Sequence, residues 1–253
     1  MIPDPIIGFF AGHQNLLWLT TLAVDLSMTL LMYRLFGRTG LIAAIAVAIL
    51  LANLQGPKLT VIFGMQTSLG VIFYSTIFFA TDILSEKHGR AVANQAVMVG
   101  FGISVIVVLM LSISLLYQPS TRPETAVLSA DIHDAFNRIL NFTPRFVFGS
   151  LFAYLISQSF DVWCFHKVRE LTRGRHLWLR NNLSTMTSQI LDTAVYALVV
   201  WWGVVDLTTA LQLGLAKYVF KLCIAAFDTP FIYWARGWTV PGLLPDRAPE
   251  AAS

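Results

Sequence analysis

The chain has 253 residues, of which 56% are hydrophobic and 12% charged, with a mean hydropathy of +0.67 and a net charge of +3. Soluble domains carry about 25% charged residues; half that value, with the apolar residues in long unbroken runs, points to an all-α membrane protein and away from an alternating β-barrel. The small net charge gives no reason to expect nucleic acid, and Cys164 and Cys223 stand in apolar stretches as small core residues, so neither a disulfide nor a metal site is expected.

The start, Met1-Ile2-Pro3-Asp4-Pro5, lacks the basic segment of a cleaved signal peptide. About 20 apolar residues span a bilayer. That length predicts helices near 14–36, 41–55, 69–86, 91–117, 145–166, 184–204 and 210–235. The second is short and ends at Asn53-Leu54-Gln55-Gly56-Pro57. Pro57 with Gly56, Gly64 and Gly70 predicts an irregular connection, which at membrane depth must be covered by protein or line a cavity. In the long stretch 118–144, residues 130–138 are amphipathic and predict a short surface helix, with Ile132, Phe136 and Ile139 toward the membrane interface. Pro230 is expected to kink the last helix, and Asp228-Thr229-Pro230 to form a structural break. The stretch 237–253, rich in Pro and Ala, is expected to be a disordered tail.

Lys and Arg set orientation. With seven spans, eleven of them fall on one side: Arg34 and Arg38, Lys87 and Arg90, the five between Lys167 and Arg180, and Arg236 and Arg247. Lys58, Arg122, Arg138 and Arg145 fall on the other. This asymmetry predicts a multi-pass membrane protein with an odd number of spans, the N-terminus outside and the C-terminus in the cytoplasm.

Seven charged residues fall within the predicted spans: Asp25, Asp82, Asp161, Asp192, Lys217, Lys221 and Asp228. A charge at the centre of a bilayer helix costs roughly 2.5–3.5 kcal/mol on insertion scales. These groups must therefore pair, sit near an interface, or line water. The phrase Ser-Gln-x-x-Asp occurs twice, as Ser157-Gln158-Ser159-Phe160-Asp161 and Ser188-Gln189-Ile190-Leu191-Asp192. Gln and Asp three apart share a helix face, so two consecutive helices can present an amide and a carboxyl to one interior. The candidate substrate-binding residues are Asn53, Asp82, Glu86, Gln158, Asp161, Gln189, Asp192 and Lys221. Lys221 is the expected counter-charge to an aspartate, and Phe73, Tyr74, Phe78 and Phe79 offer faces for a flat ligand. Asp25 stands alone in the first helix. It reads as a helix or subunit contact, with Ala23 and Ser27 marking a candidate homodimer seam. The five histidines fall at ends or loops, and neither a His-Glu-x-x-His helix nor a Walker motif is present. Enzymatic activity is not expected, and an ATPase would be a separate chain.

Thr81-Asp82-Ile83-Leu84-Ser85-Glu86-Lys87-His88-Gly89-Arg90 resembles a signature of the vitamin uptake transporter family, with His88 where that family has Tyr. Further matches are Ala153 to Val162, Leu177 to Thr185, Ser188 to Thr193, and Lys221 with Asp228-Thr229-Pro230-Phe231 and Tyr233. The resemblance covers about 41–236 and implies a polytopic bundle of six core helices, similar to the substrate-binding subunit of an energy-coupling-factor transporter, with residues 1–40 as an added N-terminal helix. It also implies uptake of queuosine precursors, 7-deazaguanines such as preQ0 or preQ1, across the inner membrane, without a cofactor. A carboxylate can accept from the ring N–H and the exocyclic amine, and Gln or Asn amides can pair with the neighbouring edge. The alternatives are a carrier for another vitamin-like heterocycle and a ligand-free scaffold whose polar residues join helices.

Overall fold

The computed structural model describes residues 3–56, 58–140, 144–196, 198–199 and 207–240, without the side chains of 144–146, 207–213, 216 and 217. A short helix α1 (Asp4–Ala11) precedes α2 (Gln14–Gln55). Strands β1 (Leu59–Ile62) and β2 (Met65–Ser68) follow, and then helices α3 (Gly70–Lys87), α4 (Arg90–Ser114), α5 (Ala126–Leu140), α6 (Pro144–Leu171), α7 (Leu177–Tyr196) and α8 (Leu207–Arg236).

The 42 residues of α2 would make a straight helix about 63 Å long. Yet both its ends meet the β-hairpin. The Phe63 N–H donates to Asn15 Oδ1 at 2.8 Å, and Ser68 Oγ donates to the Gly56 carbonyl at 2.6 Å. The helix is therefore folded back on itself, and the two arms match the helices expected at 14–36 and 41–55. The fold falls at Gly37, whose φ of 57° and ψ of −139° suit glycine. Close by, the bare Cα of Gly40 packs against the Met32 carbonyl, where a Cβ would collide.

The connection after α2 is regular where an irregular one was expected. It is an antiparallel hairpin with Ile62 opposite Met65, turning through Phe63 and Gly64, both at positive φ. Two such residues make the turn type whose twist suits a two-residue hairpin. The sequence conceals it, because Phe occupies a position usually held by Asn, Asp or Gly. Pro57, part of the same expectation, lies outside the described residues. The surface helix at 130–138 is present and longer, as α5, with Val127, Leu128, Ile132 and Phe136 exposed along it. Pro230 does not break the last helix: α8 runs through it to Arg236.

Helix α3 is the hub. Every residue from Gly70 to Ser85 except Tyr74 is buried, as expected of a helix surrounded by others. It packs against α2, α4, α6 and α8, while α6 and α7 form an antiparallel pair. The bend of α2, the end of α3, the start of α7 and the end of α8 converge at one end of the bundle. There Arg34 lies 5.4 Å over the Trp238 ring, Lys87 Nζ donates to the carbonyls of Arg236 and Trp238, and Arg180 and Arg236 both pair with Glu86. The β-hairpin and Lys58 lie at the other end.

The distribution of polarity is inverted relative to a soluble protein. Val24, Met28, Leu35, Met98, Ile106, Phe152 and Ile190 are more than half exposed, while Asp82, Gln158, Asp161, Arg180 and Asn181 are fully buried. Among the described residues, α2 and α4 are long and apolar enough to cross a membrane on composition alone, with mean hydropathies of 2.2 and 2.7 over their most apolar stretches. Helices α3, α6, α7 and α8 carry the inward polar residues. An apolar exterior around an ionisable interior is that of an α-helical membrane protein.

Candidate functional site

The centre of the site is the α6–α7 pair. Because the helices run antiparallel, the two Ser-Gln-x-x-Asp phrases meet head to tail. Ser157 Oγ donates to Asp192 Oδ1 at 3.3 Å, and Ser188 Oγ donates to Asp161 Oδ1 at 2.9 Å. Each serine thus serves the aspartate of the other phrase. On α7 the stripe Asn181, Thr185, Ser188 and Asp192 recurs at i, i+4, i+7 and i+11, the period of one helix face, and all four are buried.

The two aspartates face different surroundings. Asp192 is saturated: Tyr74 Oη donates to Oδ1 at 2.7 Å, and Lys221 Nζ reaches Oδ2 at 2.6 Å. The Lys221 ammonium also lies 4.5 Å from the centroid of the Tyr74 ring, a cation–π contact. Asp161 has no cation partner among the described residues. Its Oδ2 has no donor, and its carboxyl lies within hydrogen-bonding reach of Asp82 on α3. Thr185 Oγ1 donates to Asp82 Oδ2 at 3.3 Å, and Oδ1 has no donor. Asp228 on α8 completes the acidic group, accepting from Asn181 Nδ2 at 3.2 Å.

Two amides border the carboxyls. Gln158 Oε1 accepts from Thr81 Oγ1 at 3.2 Å, which holds the amide beside Asp82, and its Nε2 has no protein partner. Gln189 Oε1 and Asn181 Oδ1 also have none. Buried polar atoms are nearly always paired, so Gln158 Nε2, Gln189 Oε1 and Asn181 Oδ1 are exceptions among the described residues. Phe78 stands beside Tyr74, their ring centroids 5.7 Å apart.

The structure brings Asp82, Gln158, Asp161, Gln189, Asp192 and Lys221 into one buried interior, and separates the other two candidates from it. Asn53 Nδ2 donates to the carbonyl of Ile49, one turn earlier in its own helix, near the hairpin. Glu86 lies at the basic end, where Arg180 Nη2 meets Oε2 at 2.5 Å and Arg236 Nε meets Oε1 at 3.3 Å. Asp25 makes a helix contact, accepting from Thr76 on α3. The Lys217 side chain lies outside the described residues. Sequence reasoning gave too little weight to Asp228, read as part of a helix break, and to Thr81, Asn181 and Thr185. The i, i+4, i+7, i+11 polar stripe of α7 was the available signal for the last two.

A helical membrane protein that encloses carboxyls and amides, several without partners, belongs to the class of proteins that bind a polar solute within a bundle. The comparisons specify the family. The family described as "Putative vitamin uptake transporter" matches residues 68–235, and the chain belongs to it. The chain is 35% identical over 225 residues to the "Probable queuosine precursor transporter" of Bacillus subtilis (strain 168), covering 88% of this chain and 95% of that one. It is 25% identical over 167 residues to the "Queuosine precursor transporter" of Escherichia coli (strain K12), covering 65% and 70% respectively. No solved structure matches. The family is one of transporters, not enzymes.

Proposed function

We propose that this protein takes up queuosine precursors, planar 7-deazaguanine bases such as preQ0 and preQ1, and binds the base between α3, α6, α7 and α8. The observation that carries this reading is the pair of buried amide atoms without a protein partner, Gln158 Nε2 and Gln189 Oε1, in the same interior as the Asp82 and Asp161 carboxyls. A guanine-like edge presents a ring N–H and an exocyclic amine side by side, and one carboxylate accepts both. Gln158 Nε2 donates to the ring carbonyl beside them. Phe78 and Tyr74 supply the flat wall. Asp192 and Lys221 neutralise each other and hold α7 to α8. The names of both relatives agree with this substrate class.

The same reading covers topology. Residues 41–236 form a core of six membrane-spanning helices, built like the substrate-binding subunit of an energy-coupling-factor transporter, and residues 1–40 are an N-terminal addition. Support comes from the family match, which lies within that range, and from the fold of α2 at Gly37. The end that gathers Arg34, Lys87, Arg180 and Arg236 faces the cytoplasm of the cell, by the positive-inside rule. The added helix packs tightly, since Trp18, Leu22, Leu26 and Tyr33 are core residues.

The test is counterflow of labelled preQ1 into proteoliposomes preloaded with unlabelled base. The expected result is saturable exchange that Asp161→Asn abolishes. A scaffold gives no exchange, and a wild-type protein without exchange or ligand-dependent thermal shift overturns the reading.

A further inference from the structure

Resting on that reading, the side-chain chemistry of the buried acid and amide groups bears on the choice among the precursors. Two cations of the bundle interior are already committed. Lys221 is engaged by Asp192, and Arg180 by Glu86. This leaves Asp82, Asp161 and Asp228, from three different helices, with no cation partner among the described residues. All three are at most 2% exposed.

A group of acids alone would not define a ligand. The amides beside it do. Gln158 is 0% and Gln189 1% exposed, and each has an atom without a protein partner: the Nε2 donor of Gln158 and the Oε1 acceptor of Gln189. Gln158 shares a face of α6 with Asp161, and its Oε1 is held by Thr81, the neighbour of Asp82 in sequence. Asn181 Oδ1 is a further unpartnered acceptor, and the Asp82 and Asp161 carboxyls lie within hydrogen-bonding reach of each other, so that one proton between them leaves the pair with one negative charge. Ser85 Oγ adds a hydroxyl able to act either way. The complementary solute is rich in N–H donors, has one acceptor for Gln158, and is positively charged.

We infer that this polar interior is selective for a 7-deazaguanine whose C7 substituent is a protonated aminomethyl group, over one whose C7 substituent is a neutral nitrile. In the aminomethyl compound the guanine-like edge occupies one carboxyl, the ammonium a second, and the ring carbonyl meets Gln158 Nε2. Hydrogen bonds between ionised partners are roughly twice as strong as neutral ones. The nitrile offers only a further acceptor, and it leaves the negative charge of the acid group without a counter-charge, a costly arrangement.

The experiment is a titration of the purified full-length protein with the two compounds and with unsubstituted 7-deazaguanine, followed by calorimetry and thermal shift at neutral pH. The aminomethyl compound is expected to bind at least about tenfold more tightly than the nitrile, with the unsubstituted base near the nitrile. Asp82→Asn and Asp161→Asn are expected to bring the ratio between the two affinities toward one, whatever their absolute values. Equal affinities, or tighter binding of the nitrile, overturn this inference and leave the proposed function standing; the acids are then met by protons. Binding of none of the three overturns both. The wild-type comparison alone decides, should either variant fail to fold.

Discussion

Ser157 on α6 donates to Asp192 on α7 across 3.3 Å, and Ser188 on α7 returns the same bond to Asp161 on α6 across 2.9 Å. The reciprocity follows from a repeat read in opposite directions on antiparallel helices. It fixes the register of the pair and turns both carboxyls inward. Hydrogen bonds between membrane helices average about 0.6 kcal/mol, with a maximum near 1.7. Ser188→Ala should therefore lower the thermal stability only modestly, while leaving Asp161 free to reorient. The expected signature is a larger fold-loss in precursor affinity than in stability, measured by ligand titration beside a melting curve. A variant that loses both in proportion would show the serine to be structural alone.

The Lys221–Asp192 pair calls for a larger effect. Lys221→Met leaves Asp192 buried with Tyr74 and Ser157 but without its cation. Removing one partner of a buried ion pair costs about 3–5 kcal/mol. Replacing both, as Lys221→Met with Asp192→Leu, should restore most of that stability, because the cost lies in the unmatched charge. A double-mutant cycle read by melting temperature measures this. Additive losses in the cycle would mean that the two groups do not interact.

Much of this arrangement is legible in the sequence, and the rest fails for physical reasons. Composition and run length give the membrane class, and the repeated phrase gives six of the buried polar residues: Ser157, Gln158, Asp161, Ser188, Gln189 and Asp192. The partition of Arg34, Lys87, Arg180 and Arg236 from Lys58 also emerges, since each tracks a turn between apolar runs. What stays hidden depends on partners distant in sequence. Asp192 and Asp161 occupy identical phrases, and only the packing of α8 decides that Lys221 reaches the first. Asn53 looks free beside a helix end, but its own backbone satisfies it. Asp228 beside Pro230 reads as a break because proline usually stops helices; in α8 the surrounding helices hold it, and the acid joins the interior. The hairpin at 59–68 is missed because Phe63 adopts a φ of 50° that its residue type does not advertise.

His88 caps α3 at the basic end, outside the apolar interior, with its ring against Tyr33 at 5.9 Å. Burial lowers its affinity for a proton, and Arg38 and Lys87 lower it further. The folded protein thus binds this proton more weakly than the unfolded chain, where the group titrates near 6.5. Its contribution is complete above that value, and is lost as pH falls through it toward the lower folded-state value. The melting temperature should decline on acidification across this window, and His88→Gln should flatten part of the decline. Superimposable pH profiles for the two proteins would exclude the effect.

Arg180 shows why the basic end depends on a guanidinium. Its Nε and Nη2 both meet Glu86 Oε2, at 3.1 and 2.5 Å, while Nη1 donates to the carbonyls of Gly174 and Arg175 at 3.0 and 3.3 Å. The guanidinium carbon also lies 5.5 Å over the Phe165 ring. One planar group thus joins α3, α6, α7 and the turn between the last two. A lysine ammonium is a point donor and cannot reach a carboxylate and two carbonyls in these directions while stacking on a ring. Arg180→Lys keeps the charge but leaves the carbonyls of half-buried Gly174 and exposed Arg175 to water, at about 0.5–1.5 kcal/mol for each hydrogen bond lost. The variant should melt lower than the wild type and should expose the turn at 172–176 to proteolysis. In that variant Arg236 and the new lysine still neutralise Glu86, whereas Glu86→Gln strands the buried Arg180 guanidinium without its carboxylate, so Glu86→Gln should be the more severe change; a Glu86→Gln variant that melts higher than Arg180→Lys would show that the fork geometry, not the charge, holds this end closed.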